Sequence, residues 1–239
     1  MEKFTEIKQE ILRRAKGAHA CVEQYKRALE SENLQQLAQV IKDNFVWCCR
    51  NKVLDVEFIE LHETEFASVE IYANKSTSSG YVVIDGNVDI LGGTAVAYMI
   101  ANSTVNEMWG NSTVTEMRGN STVTEMRGNS TVTKMWENST VNEMWGNSTV
   151  TEMRGNSTVT EMRGNSTVTE MRENSTVTKM WENSTVNEMW GNSTVTEMRG
   201  NSYISTYNYI ECKIRGNAIM RVINEKKIYT NTEVEKPKS

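Results

Sequence analysis

The sequence is poor in the residues that carry most protein chemistry: of 239 residues, two are histidine, four are cysteine and one is proline. A single proline beside fourteen glycines excludes collagen-like and proline-rich disordered chains. The cysteines, Cys21, Cys48, Cys49 and Cys212, do not form the dense, spaced framework of a small secreted domain, so reduced thiols and a cytoplasmic location are expected. No apolar run approaches the roughly 20 residues that a membrane helix needs, so no membrane partner is expected. The opening Met1-Glu2-Lys3-Phe4-Thr5-Glu6-Ile7-Lys8 is too charged to read as an export signal. A net charge of −5 is mild, and nucleic acid is not expected as a partner either.

What is there is a repeat. From Asn102 to Gly200 run eleven unbroken nine-residue units, Asn-Ser-Thr-Val-(Thr/Asn)-(Glu/Lys)-Met-(Trp/Arg)-(Gly/Glu). Numbering slots one to nine from the asparagine, degenerate copies extend the array on both sides. Gly93–Ala101 is read with Val96 and Met99 in slots four and seven, and Asn201–Tyr209 with Ile204 and Tyr207 there. Each unit carries β-branched, strand-favouring Ser-Thr-Val-Thr, then a Gly-Asn pair suited to a tight turn with positive φ. Short strands and turns at a fixed period predict a β-solenoid whose rungs hydrogen-bond about 4.8 Å apart. One unit cannot fold alone. Burying its Val and Met yields about 3–6 kcal/mol, against roughly 1–2 kcal/mol of backbone entropy for each residue.

Side-chain directions follow from what a dry core rejects. Glu at slot six and Arg at slot eight face outward, which leaves Val at slot four and Met at slot seven inside, with a bend near slot six. Val105, Met108, Val114 and Met117 exemplify this core ladder. Ser at slot two is placed inside, Thr at slots three and five outside, and Asn at slot one in a ladder of amides along the corner. With two units per coil, every second unit stacks, and slot eight then reads Trp109, Arg127, Trp145, Arg163, Trp181, Arg199. Three units per coil give no such alternation, so coils of two units are predicted. Each Arg would lie between indoles, at about 0.5–1 kcal/mol per exposed contact. This column is the candidate interaction face, because Trp and Arg are enriched at binding hot spots. Self-stabilisation of neighbouring rungs explains the same residues. Stacked Glu columns repel; across the array twelve acids meet six arginines and two lysines, for a net of −4.

The fold expected is mainly β, a nonapeptide-repeat β-solenoid with a small α-helical N-terminal domain. Residues 1–66 read as three or four short helices, on the faces of Phe4, Ile7, Ile11 and Leu12, of Cys21 to Leu29, and of Leu34 to Cys48. Residues 67–101 start the solenoid, with strand-like Val69–Ala73 and Tyr81–Ile84 around a turn at Ser76–Gly80. The array fills 102–200, a C-terminal cap 201–229 and a flexible tail 230–239. About thirteen units, or 6.5 coils, make a rod about 30 Å long. Its open strand edges call for caps, and the helices are expected to cap or dock on one end.

Few residues offer chemistry. His19 and His62 lie in the helical region, so the histidine base of solenoid acyltransferases is missing from the coils, and no enzyme is expected. His19, Cys21, Cys48 and Cys49 lack the Cys-x2-Cys spacing of zinc sites, and the three cysteines read instead as inert buried thiols. The corners lack the Asp of calcium-binding nonapeptides. No cofactor and no metal are therefore expected. Thr113-Val114-Thr115 and its copies would set out ranks of hydroxyls like those of ice-binding solenoids, but Asn106, Asn142 and Asn187 interrupt them. Asn-Ser-Thr is a formal glycosylation sequon in every unit, without meaning in a protein that is not exported. An acidic rod could mimic DNA, yet its net charge falls far below the charge density of the duplex, roughly one per 1.7 Å.

The repeat, with Gly17-Ala18-His19-Ala20-Cys21, Val40-Ile41-Lys42-Asp43-Asn44-Phe45-Val46-Trp47-Cys48-Cys49 and Tyr209-Ile210-Glu211-Cys212-Lys213-Ile214, resembles a family of uncharacterised bacterial and bacteriophage proteins. These carry Asn-(Ala/Ser)-Thr-Val tandem repeats within a similar frame. The resemblance implies a β-solenoid of bacterial or phage type and transfers no activity. The function expected is a non-enzymatic structural or protein-interaction scaffold. Its partners would be another protein or itself, as a homo-oligomer through the N-terminal helices or the solenoid ends. The alternative is an inhibitor or decoy that binds a host protein through the Trp/Arg face or the helical domain.

Overall fold

A computed structural model describes residues 2–231. The chain begins with α1 (Glu2–Gly17), α2 (Val22–Glu30), α3 (Leu34–Asp43), α4 (Phe45–Arg50), α5 (Val56–Leu61) and α6 (Glu63–Ala67). Six helices stand where three or four were expected. The third predicted helix is divided at Asn44, whose amide donates to the Val40 carbonyl (2.8 Å) and takes it out of the helical ladder. Of the last two helices, α5 has a start signal that hydrophobic periodicity alone overlooks, while α6 starts after His62 without a side-chain cap. Asp55 caps α5 by accepting from the Phe58 N–H (2.9 Å).

The strands follow: β1 (Ile71–Ala73), β2 (Tyr81–Ile84), β3 (Asn87–Leu91) and β4 (Val96–Met99). Eleven five-residue strands come next, β5 (Thr104–Met108) to β15 (Thr194–Met198), each holding slots three to seven of one unit. The series closes with β16 (Tyr203–Thr206), β17 (Lys213–Ile214), β18 (Ile219–Val222) and β19 (Lys227–Thr230). Odd and even strands separate into two parallel sheets, β3 to β17 in one and β2 to β18 in the other, with β1 and β19 at the outer edges of the second. Every partner in the array lies two units away, as in Val150 on Val132 and Val168. The coil of two units is therefore correct. With the flanks, the rod has about 8 turns rather than 6.5, a length of about 38 Å at the spacing of paired strands.

The core lies between the sheets. Every Val of slot four and Met of slot seven is essentially inaccessible, Val105, Met108, Val114 and Met117 included, and slot-two serines such as Ser121 and Ser148 are buried beside them. Within a strand, slots three, four, six and seven pair with the next rung, while slot five drops out of the ladder. The bend therefore sits at slot five, one residue before its expected place. It turns slot six back to the outer face, so that Val and Met, three residues apart, both point inward.

The slot-five residue is dispensable, and both flanks dispense with it. In β4 the register shifts between Ala97 and Tyr98, so Ala97 lies over Val114 and Tyr98 over Glu116. Val96 thus sits at slot three and faces outward, and Ala97 takes the core place assigned to Val96. At the other end Ile204 occupies its expected slot over Val186, but Tyr207 does not enter the core. It stacks on the slot-eight indole of Trp190, with ring centroids 3.7 Å apart, and Thr206 is buried in its stead.

Corners run from slot eight to slot two. Slot nine is left-handed throughout, at φ +65° to +72° where it is glycine in the array and +56° to +61° at Ala101, Glu137, Glu173 and Glu182. A side chain there costs about 1 kcal/mol, and the three glutamates recover it: Glu137 accepts from the Gly119 N–H (2.7 Å), Glu173 from Gly155 (2.8 Å) and Glu182 from Gly164 (2.7 Å), each one turn below. Slot-one asparagines form two ladders of amides, one from Asn102 through Asn120 and Asn138 to Asn192, the other from Asn111 to Asn217.

The helices dock on the outer face of the first even strands. Val82 and Ile84 belong to the solenoid core, while Val83 and Tyr98 pack with Leu37, Phe45 and Phe66 in the helical core. The edge of β3 is covered by Thr77, which donates its N–H to Ile90 O (3.1 Å) and accepts from the Gly92 N–H (2.9 Å). At the far end β19 runs antiparallel to β18 and ends that sheet. The tail expected over 230–239 begins inside β19 with Thr230; residues 232–239 lie outside the described part.

Candidate interaction surface

Because slot eight follows the strand directly, its N–H bonds the slot-seven carbonyl of the rung below and its side chain leaves the edge of the rod. Arg127, Trp145, Arg163, Trp181 and Arg199 donate in turn to Met108, Met126, Met144, Met162 and Met180 at 2.8–2.9 Å. The structure brings Trp109, Arg127, Trp145, Arg163, Trp181 and Arg199 into one column along one edge. Arg163 lies over Trp145 (4.8 Å to the ring centroid) and over Trp181 (5.8 Å), and Arg199 lies over Trp181 (4.7 Å). The guanidinium groups of Arg163 and Arg199 therefore occupy ring faces that point along the rod, but the expected sandwich of every Arg between indoles holds for Arg163 alone: Arg127 turns to Glu125 (2.8 Å) and Glu107 (3.7 Å) instead. Trp109 starts the column above Gly92, where a Cβ would come within 2.5 Å of the indole.

All six array arginines also pair with the slot-six glutamate of their own strand: Arg118–Glu116, Arg127–Glu125, Arg154–Glu152, Arg163–Glu161, Arg172–Glu170 and Arg199–Glu197. The Arg199 hydrogen bond holds the Glu197 carboxyl below the ordinary carboxylate value, and the Glu125 hydrogen bond pushes the Arg127 guanidinium up. Lys134 and Lys179 each stand between two glutamates of their column, Lys134 between Glu116 and Glu152 and Lys179 between Glu161 and Glu197. Where slot six is Glu, the slot-eight indole can donate to it: Trp145 to Glu143 (2.9 Å) and Trp190 to Glu188 (3.3 Å). Where it is Lys, the buried Nε1 of Trp136 and Trp181 has no acceptor. Cations flank the ring instead, with Arg118, Lys134 and Arg154 at 5.7, 5.9 and 5.1 Å from the Trp136 centroid.

Two features are missing from the sequence reading although the sequence signals both. One is a second edge column, Arg118, Trp136, Arg154, Arg172, Trp190 and Tyr207, which any coil of two units implies. The other is the docking face. Tyr81, Val83, Val96, Tyr98 and Ile100 hold outward slots that carry Thr, Glu or Arg in the array, and they pack against the helices. Apolar residues in polar slots were the available signal. Arg50 of α4 completes the junction by pairing with Glu116, which is 3 % exposed and shared with Arg118.

The cysteines fall into two groups. Cys48 and Cys49 are buried, and burial pushes the Cys48 thiol up to about 12 and Cys49 well above its ordinary value. Cys212 is partly exposed, and burial pushes it up to about 12. Cys21 is exposed, so a set of uniformly buried thiols is incorrect for it. It is the N-cap of α2, on the rim of the helical domain rather than in its core. His62 is buried edge-on against Phe58, and His19 sits at a left-handed residue after α1. Among the described residues no three His, Cys, Asp or Glu side chains are placed to hold a metal ion. No described helix is long and apolar enough to cross a membrane. Comparison with protein-family models, curated proteins and solved structures returns no match.

Proposed function

We propose that the protein is a non-enzymatic scaffold, a rigid repeat rod of bacterial or phage type that holds its helical domain at a fixed distance from its far end in a cytoplasmic setting. One observation carries this reading. The ionic and aromatic groups of the array's outer edges are engaged with one another: all six arginines bind glutamates of their own strands, and indole faces take guanidinium groups of adjacent rungs. A surface built for recognition leaves its Trp and Arg anchors free for the partner, whereas here the arginines are held by glutamates and the Trp136, Trp145 and Trp181 rings by cations, with Trp109 at the open end of its column the exposed exception.

The triple substitution of Trp109, Trp145 and Trp181 with Ala tests it. Three cation–π contacts end on the Trp145 and Trp181 rings, so loss of about 2 kcal/mol in urea unfolding is expected, with light-scattering mass unchanged. Unaltered stability would overturn the structural role and leave the column free to bind a host protein, as an inhibitor or decoy would.

A further inference from the structure

α2 is a helix that does not fill the space beneath it. Cys21, Gln24, Tyr25 and Ala28 share one face at helical spacing and turn toward α1, α3 and α4, yet of the nine residues of α2 only Ala28 is buried. Between them lies a cavity of about 210 Å³. Its floor and walls come from Ile11, Leu37, Ile41, Trp47, Cys48 and Val53, all apolar. Gln24, Tyr25 and Asn44 bring polar groups to its lining. The Asn44 amide nitrogen donates to Gln24 Oε1 (3.1 Å) and to the Val40 carbonyl (2.8 Å), which uses both of its hydrogens, while its carbonyl oxygen takes no donor from the described residues.

We propose that this cavity is a binding site for a small, flat aromatic molecule bearing one N–H or O–H donor. A dry apolar cavity of about 150 Å³ accepts a benzene ring; the larger volume here suits about nine or ten non-hydrogen atoms. The apolar walls supply affinity, and the Asn44 carbonyl supplies orientation by accepting the donor. The site has a few placed polar groups in a mainly hydrophobic lining, the usual composition of small-molecule pockets. Nothing in the rod is needed for it. The exposed Cys21 stands at the mouth, so a ligand inside would shield its sulfur. For so small a ligand a Kd of about 0.1–1 mM is expected.

Indole is a suitable probe, titrated into the full-length protein labelled at isoleucine and leucine methyls. Saturable shifts at Ile11, Leu37 and Ile41, with slower alkylation of Cys21 by iodoacetamide, are expected. Ala28→Leu fills the cavity from α2 and Ala15→Leu from α1; in whichever folds as the parent does, affinity should fall at least about tenfold. Absence of methyl shifts at millimolar indole would overturn the proposal. Equal shifts in a filled, folded variant would also overturn it, by placing the probe on the surface.

Discussion

The two parts of this molecule are held together in opposite ways. In the helical domain each contact is made once. Arg14 bridges Glu10 and Asp55 at 2.7 Å and lies 4.5 Å from the Phe58 ring, so three groups depend on one side chain, and Asp55 in turn caps α5. In the rod every contact is made about a dozen times: the same Val on Val, Met on Met and Asn on Asn at every second unit. Unique contacts give a domain that stands or falls as a whole, whereas repeated contacts give stability that adds turn by turn.

The sharpest way to break that contrast is in the helical core. Leu37 is wholly buried, and Leu37→Ala should cost about 3 kcal/mol. Circular dichroism in urea should show helix lost at lower denaturant while hydrogen exchange keeps β8 to β14 protected. Simultaneous loss of both would mean that Val83 and Tyr98, shared across the junction, make one cooperative unit. A second pair of substitutions compares glycines. Gly155 is left-handed, and a Cβ there would meet the Glu137 carbonyl oxygen at 2.8 Å; Gly155→Val should destabilise by about 2 kcal/mol. Gly17 has nothing within 4 Å and no left-handed φ, so Gly17→Ala should stabilise by about 0.5 kcal/mol. Thermal unfolding of the two variants reads both signs.

A comparably small effect concerns acid. Hydrogen bonds from Arg13 and Arg14 hold Glu10 down from 4.5 to about 2. A carboxyl lowered on folding contributes stability that is complete above its unfolded value and is lost as pH falls toward about 2. On this partly exposed site solvent screening limits it to about 1 kcal/mol or less. Urea midpoints between pH 6 and pH 2 should therefore fall less for Glu10→Gln than for the parent, and equal slopes would remove Glu10 from the account.

The rod was legible in the sequence because its rules repeat. Eleven copies make slot four and slot seven apolar with no exception, and the Trp/Arg alternation of the column from Trp109 to Arg199 points to the coil, although the column from Arg118 to Trp190 does not alternate. The flanks depart from the reading for a physical reason: a strict nine-residue period places Val96 and Tyr207 in the core, but the bulged slot five can be omitted without breaking the ladder. The helical domain offered less, since Asn44 and Asp55 act through single hydrogen bonds that hydrophobic periodicity does not register. The cavity under α2 has no sequence signature at all, because a gap is a property of how helices cross.

The corner glutamates also say something about inheritance. Each takes its hydrogen bond from a glycine one turn below, and each has a glycine one turn above, where a Cβ would press on its backbone at 2.8–3.1 Å. At its corners a newly copied unit is therefore read against the units two places away. Spelling drift at slot nine should be correlated between alternate units, whereas the Val and Met slots, which share one core across both sheets, bind adjacent units as well.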